Sequence, residues 1–151
     1  MTQGYTGQGT IWNQGEGHVT ILPVLFAYIT QGRWRSINSA GFPTYTTFTN
    51  DQTHAVNDEV AYSVWLSPGV YTFCEYIMTG PDHGIITVYM DGVSLGTINH
   101  YSAGNVYGVQ KTIANITITT PGIHTLNIKV TSKTSSNYYV YLFSLAFWRT
   151  A

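Results

Sequence analysis

The chain has 151 residues, enough for one domain with its own hydrophobic core. Only 9% of the residues are Asp, Glu, Lys or Arg and 15% are aromatic, which excludes a disordered chain, since such chains are charge-rich and poor in aromatic residues. The net charge of -1 provides no field that attracts nucleic acid or anionic lipid. The longest apolar run, residues 21–29, is about half a membrane span and contains a proline, so no membrane insertion is expected.

The N-terminal segment, residues 1–17, is rich in Gly and Gln and is interpreted as an arm that precedes a single β-sandwich domain over residues 18–151. Tyr5, Ile11 and Trp12 favour an arm that docks on a neighbour over one that stays mobile. The first residues lack the basic and apolar regions of a signal peptide, and the sequence therefore predicts synthesis without one.

The first half of the domain alternates strands with polar loops. Residues 18–29 are predicted to be a strand interrupted at Pro23, because proline has no N–H for a central ladder. Residues 31–36 are a polar loop, and residues 44–49 and 59–67 are further strands. The last of these alternates clearly, with Trp65 on the face opposite an apolar row of Val60, Tyr62, Val64 and Leu66.

The centre of the chain predicts three consecutive antiparallel strands over residues 70–78, 85–90 and 93–98. The breaks between them are a Gly/Pro turn at 79–84 and the Asp91-Gly92 pair, which is typical of a type I′ hairpin turn. A loop over 99–108 and strands over 111–119, 124–130 and 138–148 follow. No helical apolar stripe is present, so the sequence predicts an antiparallel, jelly-roll-like β-sandwich of eight or nine strands.

Several short segments follow one another in a characteristic order between residues 59 and 149. They are LSPGVYTF at 66–73, TGPDHG at 79–84, VYMDGVSLGTI at 88–98, Tyr101-Ser102, GIHTL at 122–126 and VTSK at 130–133. Their succession resembles a β-sandwich module of bacteriophage virion proteins of the head-fibre, decoration and tail-fibre types. That module is loosely similar to galactose-binding-like and carbohydrate-binding-module jelly rolls.

The resemblance implies a non-enzymatic protein of the virion surface, made in the host cytoplasm and assembled as a homo-oligomer, with a trimer favoured. Capsid or tail proteins, and possible cell-surface glycans, are the partners that it implies. Glu75 departs from the pattern, because both the pattern and the alternation through Tyr71 and Phe73 place an apolar, inward residue there. Either a bulge after Phe73 redirects the strand or Glu75 has a cationic or hydroxyl partner, since a buried unpaired carboxylate costs several kcal/mol.

The polar residues show no spacing typical of a metal or catalytic site, so no cofactor, metal or enzymatic activity is predicted. The Asp82-His83 turn and the loop with His100 are expected to meet at one end of the sandwich. His124 is expected to be a partly buried, hydrogen-bonded ring, and Cys74 a small buried apolar residue.

Sugar binding is the activity that the loops favour, because aromatic faces stack on pyranose rings while polar neighbours bind the hydroxyls. Two loops offer this combination. The candidate ligand-binding residues are Arg33, Trp34 and Arg35 in the first and Asn99, His100, Tyr101, Asn105 and Tyr107 in the second. The alternatives are that Trp34 packs under its own loop and that the tyrosines lie in a subunit interface.

The last strand has aromatic residues on both faces, so it is either central between two layers or buried by another subunit, and Trp65 must also be covered. Oligomerisation follows as a hypothesis. The candidate interface residues are Trp12, Trp65, Tyr139, Tyr141, Phe143 and Trp148. The leading hypothesis is a virion structural or attachment protein. The alternative is a monomeric carbohydrate-binding module or lectin, and a hydrolase would need two carboxylates that converge on an open cleft.

Overall fold

The fold is a two-layer β-sandwich. The computed structural model describes residues 10–12, 18–21, 27–38, 46–50 and 53–151. These residues form twelve strands in two six-stranded sheets. None of the described residues belongs to a helix that is long and apolar enough to cross a membrane. The strands are β1 (Thr10–Trp12), β2 (His18–Ile21), β3 (Tyr28–Gln31), β4 (Arg35–Asn38), β5 (Thr46–Thr49), β6 (Glu59–Leu66), β7 (Gly69–Thr79), β8 (Gly84–Met90), β9 (Val93–Asn99), β10 (Val106–Ile118), β11 (Gly122–Lys133) and β12 (Tyr141–Arg149).

The first sheet has the order β1-β6-β11-β8-β9, and β3 shares the outer edge of β6 with β1. The second has the order β10-β7-β12-β5-β4, and β2 also pairs with β12. All pairs are antiparallel except β1 with β6. The centre of the predicted arm is therefore a strand of its own chain's sheet, whereas the rest of the arm and the break at Pro23 lie outside the described residues.

The core lies between the sheets and follows from period-two alternation. Val60, Val64 and Leu66 of β6 are fully buried, as the sequence predicts, and they belong to the core cluster that includes residues of both sheets. Phe73 of β7 and Phe147 of β12 meet with ring centroids 5.4 Å apart and planes tilted by 55°. Offset and tilted aromatic pairs of this kind add about 0.5–1.5 kcal/mol to the apolar burial itself.

The predicted hairpin turn at Asp91-Gly92 is confirmed by φ angles of 51° and 80°. The Asp91 side chain ties this turn to β11, because Oδ1 accepts a hydrogen bond of 2.7 Å from the Thr125 N–H and Oδ2 lies 2.6 Å from His124 Nδ1. Burial alone raises the pKa of Asp91, but the Thr125 N–H and the His124 ring outweigh it and hold that pKa below its usual value. His124 is thus the hydrogen-bonded, partly buried ring that the sequence predicts.

Two predicted loops are shorter than expected. The polar loop at 31–36 ends at Trp34, because Arg35 already pairs with Thr49 at the start of β4. The loop at 99–108 ends at Asn105, because β10 begins at Val106 and contains a register shift between Val106 and Val109. A bulge interrupts the alternation of apolar and polar residues by which strands are recognised in a sequence. The sequence of the first residues of β10 therefore resembles that of a loop.

Asp58 organises the loop between β5 and β6. It is 2% exposed, and its Oδ2 atom accepts hydrogen bonds from Asn50 Nδ2 at 2.9 Å, Thr53 Oγ1 at 2.7 Å and the Ala55 N–H at 2.9 Å. Asn50 in turn accepts a bond from the Val140 N–H, so this network holds the start of β12 as well. Three donors depend on one carboxylate oxygen.

We expect Asp58→Ala to lower the free energy of unfolding by about 2–4 kcal/mol, because it leaves several buried donors without an acceptor. Urea denaturation followed by tryptophan fluorescence measures the change. Asp82→Ala is the matched control, since Asp82 is at the same end of the sandwich with a 43% exposed side chain. It is expected to change stability by less than about 0.5 kcal/mol. Equal effects of the two substitutions would contradict the assignment.

Candidate functional site

Both predicted binding loops lie at one end of the sandwich, here called the loop end. In the first sheet, β3 and β9 end where β6 and β8 begin, with Gln31 opposite Glu59 and Asn99 opposite Ile85. In the second sheet, β4 and β10 begin where β5 and β7 end. The loop end therefore brings together the Arg33 loop, residues 53–58, the turn 80–83, the loop 100–105 and the segment 134–140.

The loop 100–105 is joined to the turn 80–83 by main-chain hydrogen bonds. The Gly80 N–H donates to the His100 carbonyl at 3.1 Å, and the Ser102 N–H donates to the Gly80 carbonyl at 3.1 Å. The His100 N–H donates to the Gly84 carbonyl at 3.0 Å. The predicted meeting of the Asp82-His83 turn with the His100 loop is confirmed.

Gly80 permits this close approach. A Cβ atom at this position would lie 2.8 Å from Asn105 Oδ1 and 3.0 Å from His83 Cδ2, closer than real side chains pack. The Asn105 amide and the His83 imidazole therefore both rest against the Gly80 backbone. An exposed polar side chain and a buried ring are brought within one small area of the loop end.

Exposed aromatic surface is available in this area. Tyr101 and Tyr107 are each 38% exposed. Asn99 shapes the loop, because its Oδ1 accepts a bond of 2.8 Å from the Tyr101 N–H and its Nδ2 donates to Thr134 Oγ1 at 3.0 Å. Asn99 is thus committed to positioning Tyr101, while Tyr101 and Asn105 present their side chains to solvent.

A row of four stacked rings crosses the loop end, here called the aromatic row. His54 stacks on Tyr139 with centroids 4.7 Å apart, Tyr139 on Tyr141 at 6.0 Å, and Tyr141 on His83 at 5.0 Å. Sequence reasoning missed this row, since its members come from three separate segments and no periodicity connects them. The two tyrosines were predicted as interface residues, yet they are half-buried and stacked within their own chain.

Two of the predicted ligand-binding residues are buried. Trp34 is 5% exposed, stacks on Phe48 with centroids 5.4 Å apart and donates from Nε1 to the Gln31 carbonyl at 3.3 Å. It packs under its own loop, which was the alternative interpretation, and its ring has no free face for a sugar. His100 is fully buried, so its predicted contact with a ligand is wrong as well. Arg33 and Arg35 are exposed beside Trp34.

The remaining predicted interface residues differ in their accessibility. Phe143 is 7% exposed and is therefore covered within its own chain, which contradicts an exposed role. Trp65 is half-buried, and Trp148 is 36% exposed on the outer face of the second sheet, opposite Thr72. The side chain of Trp12 lies outside the described part of the chain, although its backbone pairs with Trp65.

Glu75 points into the sandwich without a bulge. Its neighbours on β7 keep an unbroken register with β12 from Phe73 to Tyr76, and so the predicted bulge after Phe73 is wrong. The alternative, a partner for the carboxyl group, is found instead, because Glu75 Oε1 lies 2.7 Å from His100 Nε2 and both side chains are fully buried. On the outer face of the same strand Cys74 is buried as predicted, and burial raises the pKa of its thiol.

These placements remove two carboxylates from any open cleft. Glu75 and Asp58 are both buried and hydrogen-bonded, so neither faces Asp82 across solvent as a glycosidase pair would. No three His, Cys, Asp or Glu side chains lie close enough to share a metal ion within the described ranges. The side chains that the structure describes at the loop end offer stacking and hydrogen bonding.

A concavity of about 550 Å³ lies at the opposite end, between the β8–β9 and β10–β11 turns. Its walls are mainly aliphatic, and His124 supplies its single ring. Both nitrogens of that ring already face oxygen acceptors, Asp91 Oδ2 at 2.6 Å and the Thr120 carbonyl at 3.1 Å. The residues that line this concavity therefore lack the exposed aromatic faces that the loop end provides.

Comparisons with known proteins support the β-sandwich fold. The structure is similar to the CBM36-1 domain of a multidomain xylanase from the hindgut metagenome of Trinervitermes trinervoides, with a TM-score of 0.66, 16% identity, and coverage of 89% of this chain and 98% of that one. It is also similar to a carbohydrate-binding module CBM36 in complex with calcium and xylotriose, with a TM-score of 0.63, 17% identity, and coverage of 85% and 98%.

A third similar structure is CsCBM6-3 from Clostridium stercorarium in complex with cellobiose, with a TM-score of 0.62, 13% identity, and coverage of 94% of this chain and 98% of that one. No protein-family model matches the sequence. No curated protein matches it either. The chain thus has the β-sandwich fold of carbohydrate-binding modules, at sequence identities that define the fold alone.

His83 should make stability pH-dependent. Burial and the neighbouring His100 lower the pKa of His83 to about 4. In the unfolded chain the pKa is about 6.5, so below that pH the unfolded state binds a proton that the folded state does not. Stability is therefore lost as the pH falls from about 6.5 towards 4.

We expect His83→Gln to reduce the loss of unfolding free energy between pH 7 and pH 5 by about 1–2 kcal/mol relative to the unsubstituted chain. Urea denaturation at both pH values measures it. Ile128→Val is the control, because it changes a fully buried side chain that does not titrate. An unchanged pH dependence in His83→Gln would show that another group is responsible.

Proposed function

We propose that this chain is a non-catalytic carbohydrate-binding module whose loop end binds glycans. The observation that carries the proposal is the convergence of exposed tyrosine and asparagine side chains, Tyr101 and Asn105, beside the aromatic row at one end of the sandwich. Aromatic rings stack on the C–H face of a pyranose, while amide groups bind its hydroxyls. The fold shared with carbohydrate-binding modules supports this assignment.

Neutral glycans fit the electrostatics of this end. The charged side chains that the structure describes here are matched in number: three are cationic, Arg33, Arg35 and Lys133, and three are carboxylates, Asp58, Glu59 and Asp82. His83 is neutral at physiological pH, because its pKa is lowered to about 4. A site with an exposed ring, amides and a balanced charge favours an uncharged polyol over an anionic or cationic ligand.

The probes follow from the similar structures, one of which was solved with xylotriose and another with cellobiose. Titration calorimetry with these two oligosaccharides, followed by a glycan array, identifies a ligand. Binding to any glycan on the array supports the proposal. Absence of binding to both oligosaccharides and to the whole array would refute it.

Tyr101→Ala and Asn105→Ala should each weaken binding of the best glycan by about tenfold or more, equivalent to about 1.4 kcal/mol, because they remove the stacking face and a hydroxyl partner. Tyr76→Ala is the matched control. Tyr76 is 36% exposed, almost the same as Tyr101, but it lies on the outer face of the second sheet and donates to Gln110 Oε1. Calorimetry with the glycan identified on the array measures all three variants.

Loss of binding in Tyr76→Ala with retention in Tyr101→Ala would move the site from the loop end to the face of the sheet. Unchanged thermal midpoints in all three variants ensure that affinity, rather than folding, is compared. The exposure of the three side chains makes small stability effects the expectation.

A second proposal concerns where the module acts. A position on the surface of a virus particle, as a homotrimer that contacts capsid or tail proteins, stays a prediction. Trp148 and Ile123 are 36% and 58% exposed on the outer faces of the second and the first sheet, so each favours a contact surface on its own side of the sandwich. Light scattering at two protein concentrations tests it: a concentration-independent trimer supports this setting, and a monomer supports a free module.

A further inference from the structure

The buried pair of Glu75 and His100 connects the core to the candidate glycan loop. Glu75 Oε1 and His100 Nε2 are 2.7 Å apart, and neither side chain has any exposed surface. Glu75 belongs to β7, in the middle of the second sheet, whereas His100 follows the last residue of β9 in the first sheet. The pair therefore bridges the two layers directly beneath the loop end.

Stability alone does not account for this pair. Glu75 Oε2 and His100 Nδ1 are buried and have no hydrogen-bond partner among the described residues. A buried polar pair whose remaining polar atoms are unsatisfied is rarely more stabilising than apolar side chains of similar volume. A leucine pair would pack the same space without leaving polar atoms unpaired.

The bonds around His100 indicate what the pair does. Its N–H donates to the Gly84 carbonyl, its carbonyl accepts from the Gly80 N–H, and its ring bonds to Glu75. His100 is thus fixed at three points, and the next residue in the chain is Tyr101. Beyond it, the small residues Ser102-Ala103-Gly104 have only the Ser102 hydroxyl as a side-chain anchor, through Thr79 and the Gly104 carbonyl.

We propose that Glu75 and His100 form a positioning pair that holds the loop 100–105 in the conformation that presents Tyr101 and Asn105 to a glycan. Its effect on affinity rests on the proposed function, but its effect on loop order does not. Neither residue contacts the ligand, since both are buried. A stacking site needs its ring fixed before binding, because ordering a loop on binding lowers affinity.

The test compares three variants by hydrogen exchange of the Tyr101 and Ser102 amides, which are hydrogen-bonded to Asn99 Oδ1 and the Gly80 carbonyl. Glu75→Leu combined with His100→Leu should keep or raise the thermal midpoint, exchange these amides at least tenfold faster and bind the array-identified glycan at least tenfold more weakly. Glu75→Gln, which retains a hydrogen-bonding group, should stay within about threefold of the unsubstituted chain in exchange. Ile128→Val, a core change in β11, should lower stability without changing this exchange.

Native exchange rates in the double-leucine variant would overturn the proposal, as would equal loosening in Ile128→Val. If the double variant does not fold, Glu75→Leu is measured in the same way and the same loosening is expected, because it removes the acceptor of the His100 ring. Faster exchange in a chain that binds no glycan at all would refute the proposed function and leave the positioning role standing. Faster exchange together with native affinity would overturn the link between the pair and the site.

Discussion

The contact between the inward faces of the two sheets is the interaction on which the rest of the molecule depends. Each large apolar side chain that is fully buried there contributes about 1.5–3 kcal/mol relative to exposure, and Phe73, Phe147, Leu126 and Ile128 are all fully buried. Because successive side chains of a strand point to opposite faces of its sheet, burial of one face also determines which residues of that strand lie on the outer face. The positions of the described loops at the ends of the sandwich follow from the same register.

The two ends of the sandwich use this framework differently. At one end, the Asp91 turn and the β10–β11 turn are joined by His124, and the side chains around them are mainly aliphatic. At the loop end, polar networks replace aliphatic packing: Asp58 with Asn50 on one side and Glu75 with His100 on the other. Buried hydrogen-bonded groups have strong directional preferences, so such networks specify loop conformations that apolar contacts leave loose.

Much of the framework is predictable from local chemistry. The alternation in β6 and the Asp91-Gly92 turn require only period two and positive φ, and both are observed. Local patterns do not reveal pairings between distant residues. The start of β10 was predicted as a loop because a bulge breaks its alternation. Trp34 was a candidate for sugar binding, with packing under its own loop as the alternative, and only the contact with Phe48 decides between the two. Glu75 was correctly recognised as anomalous, but its partner lies 2.7 Å away on a segment that no local pattern connects to it.

In the candidate site, too, local patterns were predictable from the sequence and contacts between distant residues were not. The sequence identified Tyr101 and Asn105 because aromatic and amide residues are dense in one loop, and it anticipated that this loop meets the Asp82-His83 turn. The aromatic row was missed, since its rings become neighbours only when β12, the turn 80–83 and the loop before β6 converge. Tyr139 and Tyr141 were assigned to an interface, because a strand with aromatics on both faces is also what an assembly surface looks like.

The low charge of the chain connects the fold with the proposed ligand. Of its seven carboxylates, Asp58 and Glu75 are buried and Asp91 is held by hydrogen bonds to β11, so these three act within the structure. Charged groups bind water strongly, and removing that water costs more free energy than desolvating hydroxyl, amide or aromatic groups. A glycan offers many weak hydrogen bonds and apolar C–H faces. These contacts give a favourable binding free energy only where the protein surface is desolvated at low cost, and a surface with few charges meets that condition.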